Sequence, residues 1–324
     1  VTADVALTPL PEVLVTGTVL SAGDSSPVAG ATVTGTNGSV SWSATTEADG
    51  TYTAPDVRVG DYEMTVTAPG YLTATGTLTV TADEPAVFDA TVTPVDVAVL
   101  DAEGAIGAAD LTDWLVAADV ATEPITWETA AADLSGYTVV LVNGGDPTQD
   151  QYDAVVTEAA AEGAALVHLG TWGADAGGVR ILERFTDRVT IGGQGYGEGP
   201  VTLSLTEPSH PIVTGLEDGA AIIGDGGYYS TIAAYDGTAV ADVVVAADDG
   251  SVNRGIGVGY GTTAAGGVEV VMSASAVTPD VGPARGWTDA HATLLQNTIT
   301  WARAAEPAHT RDRPGSRAGG RSAR

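Results

Sequence analysis

The sequence predicts a multidomain β + α/β chain, a small β-sandwich followed by a doubly wound α/β domain. Three observations lead to this. Residues 13–93 alternate β-branched or aromatic side chains with polar ones, the period of a half-buried strand. After Pro94 the pattern switches to continuous apolar runs separated by helical spacings. The 324 residues, 44% of them hydrophobic, suffice for about two cores.

In the first half the strand runs are Val13 to Val15, Thr18 to Leu20, Ala31 to Thr34, Tyr52-Thr53, Tyr62 to Val66, Thr77 to Val80 and Val87 to Val92. Asp49-Gly50, Gly60-Asp61 and Pro69-Gly70 punctuate them. Asp-Gly supplies the positive φ of a tight hairpin, and Pro-Gly fits the centre of a type II turn. Short strands at this spacing imply a sandwich.

In the second half Val95 to Leu100 reads as a strand, and Leu111, Trp114, Leu115 and Ala118 form one helix face. Val139 to Val142 is a continuous apolar strand. A helix follows with Tyr152, Val155, Val156 and Ala159 on one side, then a strand at Ala164 to Val167. Val243 to Val245 and Val268 to Met272 are later strands, and the last helix buries Leu294, Leu295 and Ile299. This alternation is that of a flavodoxin-like or Rossmann-like domain. The boundaries are a linker at 1–12, the sandwich at 13–94, the α/β domain at 95–305 and an Arg-rich, disordered tail at 306–324.

The run Gly17-Thr18-Val19, Pro27 to Val33, Thr46 to Tyr52, Val59 to Val66 and Gly70-Tyr71 resembles a carboxypeptidase regulatory-like domain. That family implies a prealbumin-like sandwich, close to starch-binding-like modules and to collagen-adhesin B-type repeats. The Lys–Asn isopeptide crosslink of the adhesin repeats cannot form, because the chain has no Lys. The segments Val139 to Asn143, Glu162 to His168, Ser209 to Leu216 and Leu294 to Ala302 are similar to the class I glutamine amidotransferase-like superfamily, near its trehalose-utilisation branch. That resemblance implies a Cys nucleophile on the turn after Val167. The turn here reads Gly170-Thr171-Trp172-Gly173, and the chain has no Cys. Glutaminase activity is therefore not carried over.

Charge narrows the partners. Asp and Glu number 42 against 12 Arg, for a formal net charge of −30. Such a surface repels phosphate backbones, which argues against nucleic acid, and it disfavours anionic membranes. An acid-rich chain also suits high salt, but export from a high-GC bacterium is the preferred reading. Without Cys there are no disulfides and no thiolate sites. No apolar run reaches the ~18 residues of a membrane span. The opening Val1, with no signal peptide, reads as a piece of a longer precursor.

The candidate chemistry sits at strand ends and in Gly-rich loops. Those ends carry Asp101 and Glu103, Asn143 to Asp146, and His168 to Trp172. His168 is open to two roles, a general base or metal ligand and a hydrogen-bonded structural residue, with the structural one preferred. Thr171 is a candidate nucleophile with no base placed beside it. Asp146 before Pro147 reads as a helix N-cap, and His210 and His291 as packed residues. No pair of His has metal-ligand spacing. Trp172, Tyr228, Tyr229 and Trp42 are candidate sugar-stacking groups. No cofactor and no metal are expected.

These readings converge on a non-catalytic accessory or interaction module of a secreted or cell-surface protein, for instance beside a subtilisin-like protease. Its partner would be a polysaccharide or another domain of the parent protein. A carbohydrate-binding module is the alternative. A hydrolase or sugar-modifying enzyme built on Glu103 and His168 is the second.

Overall fold

The computed structural model describes residues 10–38, 40–82, 84–100, 108–170, 178–191, 200–223, 234–246, 252–273 and 287–305. The chain divides into two compact units, Val1–Val95 and Asp96–Arg324. Among the described residues no helix is long and apolar enough to cross a membrane.

The first unit is a two-sheet β structure. Its strands are β1 (Glu12–Ser21), β2 (Thr32–Thr36), β3 (Ser41–Thr45), β4 (Thr51–Arg58), β5 (Gly60–Thr67), β6 (Ala74–Val80), β7 (Ala86–Val87) and β8 (Ala90–Val92). One sheet has the order β4-β1-β7, with β8 pairing further along β1. β7 and β8 run parallel to β1, and β4 runs antiparallel. The other sheet, β3-β2-β5-β6, is antiparallel throughout. Alternate residues point inward, so Val15, Val19, Val33, Tyr62, Met64 and Val66 join one core. Burying each such side chain contributes roughly 1.5–3 kcal/mol.

The turns follow local chemistry, with one correction. Tyr71 N–H donates to Ala68 O at 3.2 Å across Pro69-Gly70, and Gly70 has φ 73°. This is the expected type II geometry. At Asp49-Gly50 the positive φ is present, with Gly50 at 76°. However, the turn joins β3 to β4, which lie in different sheets, so it is a crossover rather than a tight hairpin. β4 holds Pro55 inside the strand, where a missing N–H is tolerated only at an edge or a bulge. β4 is an edge strand, its register with β1 shifts between Val13 and Val15, and Asp56 adopts φ 57°.

The second unit carries β9 (Val97–Leu100), α1 (Ala108–Ala117), β10 (Thr122–Ile125), α2 (Trp127–Ala132), β11 (Val139–Val142), α3 (Gln149–Glu162), β12 (Ala165–Leu169) and α4 (Gly178–Phe185). There follow β13 (Val189–Thr190), β14 (Val201–Leu205), a 3₁₀ turn at Pro211–Val213, β15 (Ala221–Ile223), β16 (Ala234–Tyr235), β17 (Thr238–Ala246), β18 (Val252–Thr262), β19 (Val268–Met272) and α5 (Asp289–Ala304). Nine strands form one sheet in the order β10-β9-β11-β12-β19-β18-β17-β14-β15. The first five are parallel, and from β19 onward each strand is antiparallel to its neighbour. Val243 to Val245 thus lies on an antiparallel strand. Connections of about five residues join β17 to β18 and β18 to β19, too short for the dozen or more that a parallel crossover needs.

Alternation along the parallel strands separates two cores. Val97, Val99, Val139, Leu141, Val167 and Val270 pack with Leu111 and Leu115 of α1 and Leu294, Leu295 and Ile299 of α5. Ala98, Leu100, Val140, Val142, Leu166 and Val271 pack on the other face with residues of α2, α3 and α4. The start of α3 corrects the cap assigned to Asp146. Thr148 is the N-cap, forming a reciprocal capping box with Gln151. Asp146 instead pairs with Arg184 at 2.7 Å.

Gly17 on β1 allows a close approach. A Cβ built there would lie 1.9 Å from Phe88 O and 2.8 Å from the Tyr52 ring. Tyr52 Oη donates to that same carbonyl at 2.8 Å. Gly17→Ala is therefore expected to destabilise the first unit by about 1–3 kcal/mol through overpacking. Denaturant unfolding checks this, and an unchanged midpoint would show that the Phe88 backbone yields freely.

Candidate functional site

The apolar strand β19 carries one charged residue. Glu269 sits opposite Leu166 of β12 and Gly261 of β18, and is 1% exposed. A carboxylate so placed needs a partner, because an isolated buried charge is strongly unfavourable. Arg188, just before β13, supplies it. Its Nη1 lies 2.8 Å from Glu269 Oε1, and its Nε donates to Asp236 Oδ1 at 2.8 Å. Nη1 also donates to Thr262 O. Tyr235 of β16 donates its hydroxyl to Glu269 Oε1 at 3.0 Å.

Glycine makes the crossing possible. A Cβ on Gly261 would fall 2.7 Å from Arg188 Nη2 and 2.8 Å from Tyr235 Oη. Burial pushes the Glu269 carboxyl above its ordinary range, against the opposing pull of Arg188 and Tyr235. Burial also works to lower the Arg188 pKa, but Glu269 with Tyr235 and Asp236 reverses the sign and raises it. The Tyr235 hydroxyl is raised by burial and then by Glu269.

His168 lies on β12 beside this network and is fully buried. Its Nδ1 is 3.2 Å from Gly178 O. A carbonyl only accepts, so Nδ1 carries the proton and Nε2 is left as an acceptor. Nε2 is 3.9 Å from Glu269 Oε2 and has no hydrogen-bond partner among the described residues. Burial pushes the ring down to about 4, with the Gly178 carbonyl opposing and Arg188 assisting. The imidazole is therefore neutral near pH 7, and its approach to Glu269 is no ion pair. Tyr152 of α3 packs 6.5 Å from the ring. A general base needs hydrogen-bond reach of a substrate proton, and the His168 ring faces the interior.

Of the other candidates, Glu103, Thr171, Trp172, Tyr228 and Tyr229 lie outside the described residues, as do Asp101, the Gly-rich segments at 192–197 and 224–229 and the 306–324 tail. Trp42 of β3 is half-buried. It meets Tyr62 edge-on at 6.3 Å and lies against Gly35, whose Cβ would clash with the indole. His291 is buried on α5, stacked on Trp287 at 3.9 Å. His210 caps the 3₁₀ turn by accepting from Ile212 N–H at 3.3 Å, and stacks on Tyr260 at 5.2 Å. Asn143, at the carboxyl end of β11, is fully buried, and neither side-chain amide atom is bonded among the described residues. Among the described residues no three His, Asp or Glu converge as a metal site. The Arg188–Glu269–Tyr235 cluster escapes sequence reading, although Glu269 alone interrupts the run Val268 to Met272.

Comparison with known proteins bears on the first unit. Residues 14–93 match the carboxypeptidase regulatory-like domain. Three of the solved structures to which the chain is similar each match about a quarter of its length. For the Bacillus anthracis TIE protein, identity is 18%, covering 27% of this chain and 17% of that one, with a TM-score of 0.25. For a type II cohesin–X-dockerin complex from Acetivibrio cellulolyticus, identity is 24% over 26% and 59%, TM-score 0.22. For a candidate carbohydrate-binding protein from Bacteroides uniformis, identity is 16% over 26% and 43%, TM-score 0.24. The chain thus spans less than two thirds of each of these structures. No curated protein matches.

Removing Arg188 tests the buried network. Arg188→Met is expected to cost about 3–5 kcal/mol near pH 7, because it strands the Glu269 carboxylate. The double variant Arg188→Met with Glu269→Gln recovers much of that loss. Equal midpoints for the single and double variants in urea would show that the pair is not coupled.

Acid stability is a second test. The His168 and His291 rings are pushed down to about 4 and about 3 by burial. Unfolded, each titrates near the ordinary ~6.5. The unfolded chain takes up these protons first, so their contribution is full above pH ~6.5 and is lost as pH falls through the folded values. Glu269, raised, acts oppositely: its contribution is lost as pH rises through its folded pKa. The double variant Arg188→Met with Glu269→Gln removes that opposition, so its urea midpoint should drop from pH 7 to pH 5. A midpoint that holds or rises would contradict this assignment.

Proposed function

We propose that the chain is a non-catalytic accessory or interaction module of an exported or cell-surface bacterial protein, carried beside a catalytic domain such as a subtilisin-like protease. The observation that carries this reading is the match of residues 14–93 to a carboxypeptidase regulatory-like domain. The second unit we read as a flavodoxin-like scaffold of the class I glutamine amidotransferase-like kind that has kept its fold without the reaction. Its parallel strands β10-β9-β11-β12-β19, with helices on both faces, support that reading. So does the lack of any Cys, because amide hydrolysis in that superfamily proceeds through a thioester.

The polar groups of the second unit support it further. His168 and Glu269 are both buried, His168 bonded to the Gly178 carbonyl and Glu269 paired with Arg188, rather than open to solvent. An enzyme built on His168 would need an open cleft at that ring. The carbohydrate-binding reading is favoured by a different observation, the aromatic pair Tyr260 and Trp301 lining a cavity of the second unit.

Incubating the chain with glutamine and measuring ammonia tests the non-catalytic reading. Release is expected to stay at the level of the blank. Release above the blank that disappears in Thr171→Ala would overturn it.

A further inference from the structure

We propose that the second unit binds a neutral sugar in the cavity between the amino end of β19 and the carboxyl end of α5. The cavity measures about 520 Å³, within the ~300–1,000 Å³ of small-molecule sites. Its walls are of two kinds. Tyr260 of β18, Trp301 of α5 and Val268 give it apolar lining. Arg188, Asp236, Thr238 and Thr262 give it polar lining.

The aromatic lining is rigid. Tyr260 and Trp301 have ring centroids 5.0 Å apart, and His210 stacks on Tyr260 at 5.2 Å and meets Trp301 at 5.4 Å. Three mutually packed rings hold Tyr260 and Trp301 in place, so little ordering is required on binding. Both line the cavity while remaining half-buried. The face of an aromatic ring is electron-rich. It attracts the slightly positive C–H groups that one face of a pyranose presents.

The polar lining suits hydroxyls. Asp236 is an exposed acceptor, and Thr238 and Thr262 are exposed hydroxyls that donate and accept. Arg188 is fixed by Asp236, Glu269 and Thr262 O, so it serves as an oriented wall rather than a free cation.

Charge decides between neutral and anionic ligands. One guanidinium faces two carboxylates, Asp236 and Glu269, so the local sum is negative. The chain as a whole carries −30. An anion is repelled at both scales. A neutral polyol keeps every hydrogen bond without that opposition.

This inference rests on the carbohydrate reading and adds to it a place and a ligand charge. The test uses the full chain, titrated with glucose, maltose, cellobiose, N-acetylglucosamine and glucuronate and followed by NMR of the indole N–H and aromatic signals. At least one neutral saccharide is expected to bind saturably and to shift Trp301 and Tyr260, with glucuronate weaker than glucose. Trp301→Ala is expected to weaken binding by about tenfold, while Trp301→Phe retains most of it. Trp42→Ala should leave binding unchanged. Loss on Trp42→Ala with none on Trp301→Ala would move sugar binding to the first unit and overturn the proposal. Glucuronate binding tighter than glucose overturns it too. If no saccharide binds, the carbohydrate reading falls with it, and the accessory-module reading stands. Mapping on the unaltered chain decides the outcome even if Trp301→Ala fails to fold.

Discussion

A single buried carboxylate organises the second unit. Glu269 lies on β19, the middle strand of nine, where the parallel half of the sheet meets the antiparallel half. With 1% exposure it cannot stay charged without a cation at hand. Arg188 supplies one at 2.8 Å and Tyr235 adds a hydroxyl at 3.0 Å. Those two residues belong to the short β13–β16 ribbon region, which is antiparallel through Val189↔Tyr235. The carboxylate is thus what the ribbon docks onto. The same requirement fixes Gly261, since any side chain there would meet both Arg188 and Tyr235. Replacing such a cluster with apolar residues is often neutral or stabilising in other proteins, while removing one partner is costly.

The first unit shows the same logic with backbone instead of charge. Thr46 is 5% exposed and accepts from Ala31 N–H at 2.8 Å while donating to Val28 O at 2.6 Å. One hydroxyl satisfies two main-chain groups at the loop joining β1 to β2, where no sheet partner serves them. Tyr52 does likewise for Phe88 O, and burial followed by Asp89 pushes its hydroxyl up to about 12. With no Cys, such side chain–backbone bonds fix loops of the kind that disulfides hold in many small exported domains.

Periodicity made α1, α3 and α5 and the strands β9, β11, β12 and β19 legible, while β3, β10, β18, α2 and α4 went unread. The α3 face of Tyr152, Val155, Val156 and Ala159 is buried as its spacing implies, and so are Leu294, Leu295 and Ile299 of α5. Turn chemistry was legible where the turn is local, as at Pro69-Gly70. It was not legible where an identical signal serves a crossover, because Asp49-Gly50 fixes a φ angle but not which sheets it connects. The antiparallel half of the sheet was hidden for the same reason: an apolar run such as Val243 to Val245 states burial, not direction. The cap of α3 was misplaced because Asp146-Pro147 and Thr148-Gln151 offer overlapping cap signals. The second wins by making a reciprocal pair of hydrogen bonds, Thr148 N–H to Gln151 Oε1 at 2.9 Å and Gln151 N–H to Thr148 Oγ1 at 3.3 Å. Arg188 and Glu269 are 81 positions apart, and no local pattern links them.

The switch from parallel to antiparallel pairing at β19 also determines where a cavity opens. In an all-parallel sheet every connection returns over a face, and ligands gather beyond the carboxyl ends. Here β18 runs against β19, so its last residue, Thr262, and the first residue of β19, Val268, lie together at the amino end of the parallel set. β17 begins at that end too, with Thr238 paired to Tyr260. α5 brings Trp301 to the same place near its carboxyl terminus. Helix termini and strand reversals therefore meet at a border that a parallel neighbour would have filled with a crossover. What lines it is set by the carboxylate: Arg188 reaches the border because Glu269 draws it in, and Asp236 follows because Arg188 Nε is left to pair. The polar wall of the cavity is the outer side of the buried network, and its aromatic wall is the rim of the α1–α5 core.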